Sequence, residues 1–379
     1  MVIISICIAI LYLILILAFA FGFDKVPEFF LSDTTAKTTF SIVVPFRNES
    51  ENLPSLLQSL QALKYPKHLI EVILVDDDSN DNSIKIIETF IANNATKTTQ
   101  TQISLLKNIR TSNSPKKDAI TTAIQYAKHE WIITTDADCV LPEFWLDSFD
   151  AYIQHTNAVC VVAPVTYLEQ NTFLSRFQLL DMLSLQGATI GSFGIHNPFL
   201  CNGANFAYTA SVFQEVDGFK GNSHISSGDD IFLLEKITKT YPKNVHYLKC
   251  EKAIVYTKPQ ATWQELIQQR IRWAAKTSTY NNWFGKLVGI TVFLMNFSII
   301  LLPILSFLGI FNIKIWVYLL VIKLNIDFLL LYKTSAFFNQ RRAFISFLTS
   351  FFVYPFFSVY VAFLSLFKSY TWKGRSFKR

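Results

Sequence analysis

The chain has 379 residues, of which 51% are hydrophobic and only 16% charged, with a net charge of +6. Soluble domains carry about 25% charge, so the apolar excess must sit in a very large core or in lipid. Disorder and collagen are excluded by 35 Phe against 12 Gly, and the five scattered Cys and six dispersed His form no C-x-x-C or H-x-x-x-H pair, which argues against a disulfide framework and a zinc site.

Val2 to Phe23 is uncharged. As a helix it reaches about 33 Å, enough to cross a hydrocarbon core. A cleaved signal peptide is the weaker reading, because the apolar run is long and lacks a basic start and a small-residue cleavage site. The expected anchor is residues 1–23.

From Thr38 to Asn282 the texture changes. Short apolar runs at Ser41–Pro45, Glu71–Val75, Ile103–Leu106, Trp131–Thr135 and Ala158–Ala163 alternate with helix-like stretches at Ser50–Leu63, Ser83–Ala92, Lys117–Lys128 and Pro142–Gln154. That alternation predicts βαβ units and a mostly parallel sheet over residues 38–282. Such sheets bind ligands beyond the carboxyl ends of their strands. The residues there are Glu49 after the first strand, Asp76, Asp77, Asp78 and Asp81 after the second, and Asp136 and Asp138 after the fourth. Asp81 and Ser83 read as a helix start. With 16 Asp in the chain, chance alone supplies about 0.7 D-x-D patterns. Position after a buried strand is therefore what makes Asp136-x-Asp138 a candidate for Mg²⁺ or Mn²⁺. Neither has a basic neighbour in sequence.

Thr172 to Ile195 places Phe173, Phe177, Leu180 and Leu183 at helical spacing. It fits either a membrane-surface helix or a core helix of the sheet domain. Ser226-Ser227-Gly228-Asp229-Asp230 opens a further helix, where the acids are either dipole-stabilising caps or a general base. Gln269-Arg270-Ile271-Arg272-Trp273 precedes the next apolar run and reads as a basic-aromatic membrane anchor or as part of a site.

Three more runs follow: Leu287–Phe311, Ile315–Tyr332 and Phe344–Phe367, giving two or three spans within 287–367 and a basic tail at 368–379. Lys323 and Asp327 interrupt the second run four residues apart, placed to pair inside a bundle. Lys333, Arg341 and Arg342 before the last run, and Lys368, Lys373, Arg375, Lys378 and Arg379 after it, all prefer the cytoplasm. Both groups lie inside only if Pro355 bends the last run into a re-entrant hairpin; otherwise the charge rule fails at the tail.

Several of these motifs, in this order, resemble a membrane-bound family-2 glycosyltransferase with a GT-A fold. SIVVPFRNESENLPSLLQSL resembles the opening strand and helix, VILVDDDSNDNS the nucleotide motif, TTDADC the metal-binding D-x-D, and GDD the base motif. Gln269 to Trp273 matches Q-x-x-R-W, and Asn202 to Phe219 resembles the acceptor-side segment. The usual Gly after V-D-D is Asp78, the usual G-K reads Pro115-Lys116-Lys117, and the base motif's Glu is Asp229. The resemblance implies an α/β nucleotide-sugar domain between membrane helices, cytoplasmic at a bacterial plasma membrane. The donor would be a nucleotide sugar, UDP-linked by expectation, and the acceptor a lipid or glycan; no nucleic acid is implied. It further implies that Asp77, or Asp76, binds the base near Glu49, and that Asp138 with Asp136 holds the metal. Lys117, Gln269 and Arg272 would serve the donor, and Trp273 would offer an aromatic face. Asp230 matches the catalytic base by position, with Asp229 the alternative. The readings that follow are a single-sugar transferase, a processive synthase, and a non-catalytic scaffold. The scaffold is disfavoured because every catalytic carboxylate position is filled.

Overall fold

The computed structural model describes residues 1–94, 101–223, 225–276, 281–367, 370–373 and 375–377. In chain order the elements are α1 (Val2–Lys25), β1 (Phe40–Phe46), α2 (Leu53–Ala62), β2 (Ile70–Asp76), α3 (Ser83–Asn94), β3 (Gln102–Lys107), α4 (Pro115–Tyr126), β4 (Trp131–Thr134), α5 (Trp145–His155), β5 (Cys160–Val162) and β6 (Val165–Tyr167). There follow α6 (Phe173–Gly194), β7 (Phe206–Thr209), α7 (Ala210–Glu215), α8 (Asp229–Thr240), β8 (Val245–Tyr247), β9 (Val255–Thr257), α9 (Trp263–Ala275), α10 (Trp283–Phe307), α11 (Ile313–Phe337) and α12 (Phe347–Phe367). They form two units: residues 27–168 with 201–258, and residues 1–26 with 169–200 and 259–379. The stretch 38–282 is thus shared between the two.

The first unit is built on a seven-stranded sheet of order β3-β2-β1-β4-β7-β5-β8. β3, β2, β1 and β4 are mutually parallel, as the βαβ pattern predicts, and β7 runs antiparallel to both β4 and β5. Strands covered on both faces read as continuous apolar runs, and β1 and β2 do. Phe40, Ile42 and Val44 of β1, with Val72 and Leu74 of β2, pack with Leu53, Leu56 and Leu60 of α2 and Trp145 and Phe149 of α5 in one core. α4 lies against the same two strands with Ala119, Ile120 and Ala123 buried. At the amino ends of these strands the buried Glu71 accepts from Ser41 Oγ and the Lys128 backbone N–H, each at 2.5 Å. This ties β1 and β2 to the turn before β4, at the end opposite the Asp-rich loops.

The second unit holds the apolar helices. Among the described residues, four stretches are long and apolar enough to cross a membrane: Val2–Lys25, Trp283–Phe307, Ile313–Phe337 and Arg341–Phe367. α6, for which a surface or a sheet-domain place was open, belongs to this unit and packs on α1 and α11. α12 passes through Pro355 as one continuous helix, so the re-entrant hairpin does not form. In the tail, Lys368, Lys378 and Arg379 lie outside the described residues. Lys323 and Asp327 do pair, at 2.5 Å, and Tyr12 of α1 donates to the same carboxylate at 2.5 Å. In apolar surroundings each charge is expensive unless paired and hydrogen-bonded, and this trio meets that condition.

α1 and α6 meet at glycines. A Cβ on Gly194 would lie 1.9 Å from the Gly22 carbonyl oxygen, and one on Gly191 would lie 2.4 Å from that of Phe19. Small residues let helix backbones approach closely where lipid provides no hydrophobic drive. Gly194→Ala should therefore destabilise the protein by about 1–3 kcal/mol, read as a lower thermal midpoint in detergent. An unchanged midpoint would contradict the close approach.

Candidate active site

The loops after β1 and β2 are sewn together. Asn48 takes a left-handed φ of 51°; its amide donates to Ser79 Oγ at 3.0 Å and its Oδ1 accepts from the Asn80 amide at 2.9 Å. The Glu49 amide donates to Ser83 Oγ at 2.8 Å, and the Glu49 carboxylate accepts from Asn52 Nδ2 at 2.7 Å. Arg47 reaches the carbonyls of Asp77 and Asp78. Asp78 has φ 63°, the left-handed conformation that favours Gly and that Asp tolerates better than most residues. This accounts for both the usual Gly and the Asp found here. Asp81 accepts from the Ser83 amide at 2.9 Å and the Ser50 amide at 3.0 Å. Desolvation alone would raise its carboxyl, but the bonds from Ser83 and Ser50 prevail and hold it at about 2. It starts α3, as its position suggested.

Asp76 and Asp77 are buried. Asp76 accepts from the Ser79 amide at 3.0 Å. Asp77 Oδ1 accepts from Asn108 Nδ2 at 2.7 Å and from Arg110 at 3.3 Å. Arg110 is held in turn by Asp118 at 3.3 Å. The Asp118 carboxylate also collects the amides and hydroxyls of Thr111 and Ser112, which shapes the loop after β3.

The second cluster joins β4, α4 and α8. Lys116 Nζ lies 2.6 Å from Asp136 Oδ1 and 3.4 Å from Asp229 Oδ2. Burial would lower this ammonium, but the charges of Asp136, Asp229 and Asp230 outweigh it and keep it protonated. Lys117, expected to serve the donor phosphate, is turned away and is 1% exposed. Its Nζ donates to the carbonyls of Asn222 and Ile225 at 2.8 and 3.0 Å and sits 4.8 Å from the Phe232 ring centroid. Adjacent residues on a helix point about 100° apart, so only one of the two lysines can face the carboxylates, and it is Lys116.

Asp230 is the second residue of α8, whose N-cap is Gly228 with φ 80°. Its Oδ2 accepts from the Gly203 amide at 3.1 Å and its Oδ1 from the Ile231 amide at 2.8 Å. Gly203 is fixed by Thr134 of β4, whose hydroxyl donates to the Gly203 carbonyl at 2.7 Å. The neighbouring Asn205 is buried and donates to the carbonyls of Pro164 and Ala253, each at 2.8 Å. The structure thus brings Asp136, Asp229 and Asp230 together around Lys116, with Asp138 two residues beyond Asp136. Tyr208 is buried near Asp229, and its hydroxyl has no hydrogen-bond partner among the described residues. Burial, with the charges of Asp138 and Asp136, raises the Cys139 thiol well above its usual value.

Among the described residues no three His, Cys, Asp or Glu converge as a metal cage. Asp138 and Asp136 still suit Mg²⁺ or Mn²⁺, which rest on one or two carboxylates and take their remaining oxygens from water and substrate phosphates.

Gln269, Arg272 and Trp273 lie on α9, in the helix unit. A capping box starts α9: the Glu265 amide donates to Thr262 Oγ1 at 3.2 Å, and the Thr262 amide to Glu265 Oε2 at 3.1 Å. Arg270, not Arg272, is the buried arginine. Sequence reasoning passed over Asn108, Arg110, Lys116 and Asp118. Of these only Lys116 carried a signal, as half of the altered G-K.

Family models agree with this geometry. The model described as glycosyl transferase family 2 matches residues 41–217, and that of glycosyl transferase family group 2 matches residues 131–373. Among curated relatives, the poly-beta-1,6-N-acetyl-D-glucosamine synthase of Staphylococcus epidermidis is 25% identical over 39% of this chain and 33% of its own length. Glycosyltransferase AglE of Haloferax volcanii is 24% identical over 52% of this chain and 60% of its own. The undecaprenyl-phosphate 4-deoxy-4-formamido-L-arabinose transferase of Proteus mirabilis is 35% identical over 27% of this chain and 29% of its own. Each alignment therefore spans less than two thirds of the relative. The mannosyltransferase PcManGT from Pyrobaculum calidifontis, solved with GDP-Man and Mn²⁺, has a similar fold, with a TM-score of 0.57 at 14% identity over 97% of this chain and 99% of that one. A GT-A sheet with acidic loops at its strand ends, apolar flanking helices and a family model spanning residues 131–373 make this chain a member of the family-2 glycosyltransferases.

Proposed function

We propose that this glycosyltransferase moves one sugar from a nucleoside diphosphate sugar to a membrane lipid, with inversion at the anomeric carbon. The observation that carries the reading is the carboxylate cluster around Lys116 with Asp230 at its edge. Asp229 is charge-paired with Lys116, whereas Asp230 takes its hydrogen bonds from backbone amides. Asp230 also stands at the position of the family's catalytic base, so it takes the proton of the acceptor hydroxyl as it attacks. Asp77, with Asp76 the alternative, would bind the base, with Glu49 on the adjoining loop. Asp138, helped by Asp136, would hold Mg²⁺ or Mn²⁺, which neutralises charge on the departing diphosphate when bound. Lys116 takes the phosphate-side role first expected of Lys117. Gln269 and Arg272 are carried over from Q-x-x-R-W as donor-binding, and Trp273 as an aromatic face for the sugar.

The lipid acceptor is supported by the undecaprenyl-phosphate transferases among the relatives and by the economy of the membrane part. A polymer crossing the bilayer needs a polar conduit enclosed by helices, and four candidate spans are few for that. The metal and the nucleotide-sugar donor are supported by the GDP-Man and Mn²⁺ of the archaeal mannosyltransferase. A UDP donor is the expectation for this chain. The cytoplasmic placement of the sheet unit is supported by Lys333 in the last turns of α11 and by Arg341 and Arg342 between α11 and α12. The similarity to a poly-N-acetylglucosamine synthase favours the processive synthase as the second reading.

Full-length protein in detergent, given UDP-GlcNAc, UDP-glucose and GDP-mannose in turn with Mn²⁺ and a total lipid extract, tests this. Mass spectrometry should find a lipid heavier by one sugar, and excess EDTA should stop the transfer. A ladder of sugar units would favour the synthase, and no transfer from any donor would remove the reading. With the donor that reacts, Asp230→Asn should lower kcat by roughly 10²–10⁴-fold, while Asp229→Asn should cost less. The reverse order would exchange their roles.

A further inference from the structure

Asp181 lies in α6 and Arg270 in α9. Arg270 Nε and Nη2 both reach Asp181 Oδ2 at 2.7 Å. The side chains are 6% and 7% exposed, and Tyr354 of α12 lies near the same carboxylate. The other side of the guanidinium is turned to its own helix. Its Nη1 donates to Gln269 Oε1, and its central carbon stands 4.1 Å from the centroid of the Trp273 ring.

Arg270 is one of the two variable positions of Q-x-x-R-W, yet it touches both the first and the last member of the motif. Gln269 adjoins it in sequence. Trp273 is three residues on, where helix neighbours meet, and a guanidinium stacks well on an indole face. Buried by itself, Arg270 would have no reason to hold that rotamer. Asp181 supplies the countercharge that fixes the plane of the guanidinium, and that plane fixes the amide of Gln269 and the ring of Trp273.

We infer that Asp181 is a positioning residue for this reaction: through Arg270 it sets the orientation of Gln269 and Trp273. The inference rests on the reading above that Gln269 and Trp273 serve the reaction. A pair that only stabilises the fold can be replaced by apolar residues of similar volume at little cost, whereas removing one partner alone strands a buried charge. The two roles therefore separate in the double variant.

The test uses full-length protein in detergent, with thermal midpoint and rate both measured. The rate is nucleoside diphosphate release from whichever of UDP-GlcNAc, UDP-glucose or GDP-mannose reacts, with a total lipid extract as acceptor. Asp181→Asn should lower both midpoint and rate, and Asp181→Glu should return part of the rate. The double variant Asp181→Leu with Arg270→Met should regain the wild-type midpoint but stay at least about 10-fold down in kcat/KM, a loss of about 1.4 kcal/mol in transition-state stabilisation. A double variant that regains both midpoint and rate would overturn the positioning role. Trp273→Ala and Gln269→Ala test the underlying reading separately. If both keep the wild-type rate, the motif has no part in the reaction and the inference falls with it. If none of the three donors reacts with the wild-type protein, the transferase reading itself fails.

Discussion

The ammonium of Lys116 is the contact around which the acidic side chains of the sheet unit gather. It sits within 4 Å of carboxylates from two chain segments, Asp136 after β4 and Asp229 at the start of α8, and comes itself from the first turn of α4. Without it, Asp136, Asp229 and Asp230 would face one another across a half-buried space with their charges opposed only by distance. Like charges at that range are costly where water is scarce. Lys116 makes their assembly possible: it pairs with Asp136 and Asp229 and feels the charge of Asp230 as well.

Much of the parallel half of the sheet is legible in the sequence. β1 and β2 are buried on both faces and appear as unbroken apolar runs, and the acids that follow them sit where a strand ends and water begins. β7 was less legible. Its four residues, Phe206 to Thr209, are too few to show a period, and it is defined by antiparallel pairing with β4 and β5, which is a long-range event. The lysine choice was also hidden. Lys116 and Lys117 are neighbours, and only the path of α4 against β1 and β2 decides which faces the carboxylates. Arg110 and Asp118 carry no motif; they become visible only when the loop after β3 closes onto Asp77. Asp78 is the opposite case. Its departure from the usual Gly was plain in the sequence, and the structure supplies the reason, a left-handed φ of 63°.

The helix unit follows a different rule. Its sequence is nearly uniform in hydropathy along α1, α10 and α12, so periodicity says little about which faces meet. The informative residues are the exceptions. Glycines in α1 and α6 mark a backbone approach too close for any Cβ, and the pairs Lys323–Asp327 and Asp181–Arg270 mark where charge is neutralised inside. The spacing of Lys323 and Asp327 on one helix made their pairing legible. Asp181 and Arg270 are 89 residues apart, and nothing local joined them. Arg270 was passed over because the motif's named arginine is Arg272.

The central claim is that a single carboxylate, Asp230, removes the proton of an acceptor hydroxyl that attacks the donor directly. On that reading no enzyme-bound sugar intervenes. One displacement inverts the reacting carbon. The most direct measurement is the anomeric configuration of the product, read by proton NMR after transfer from an α-linked donor such as UDP-GlcNAc or GDP-mannose. Direct attack predicts a β-linked sugar; an α-linked product would contradict it.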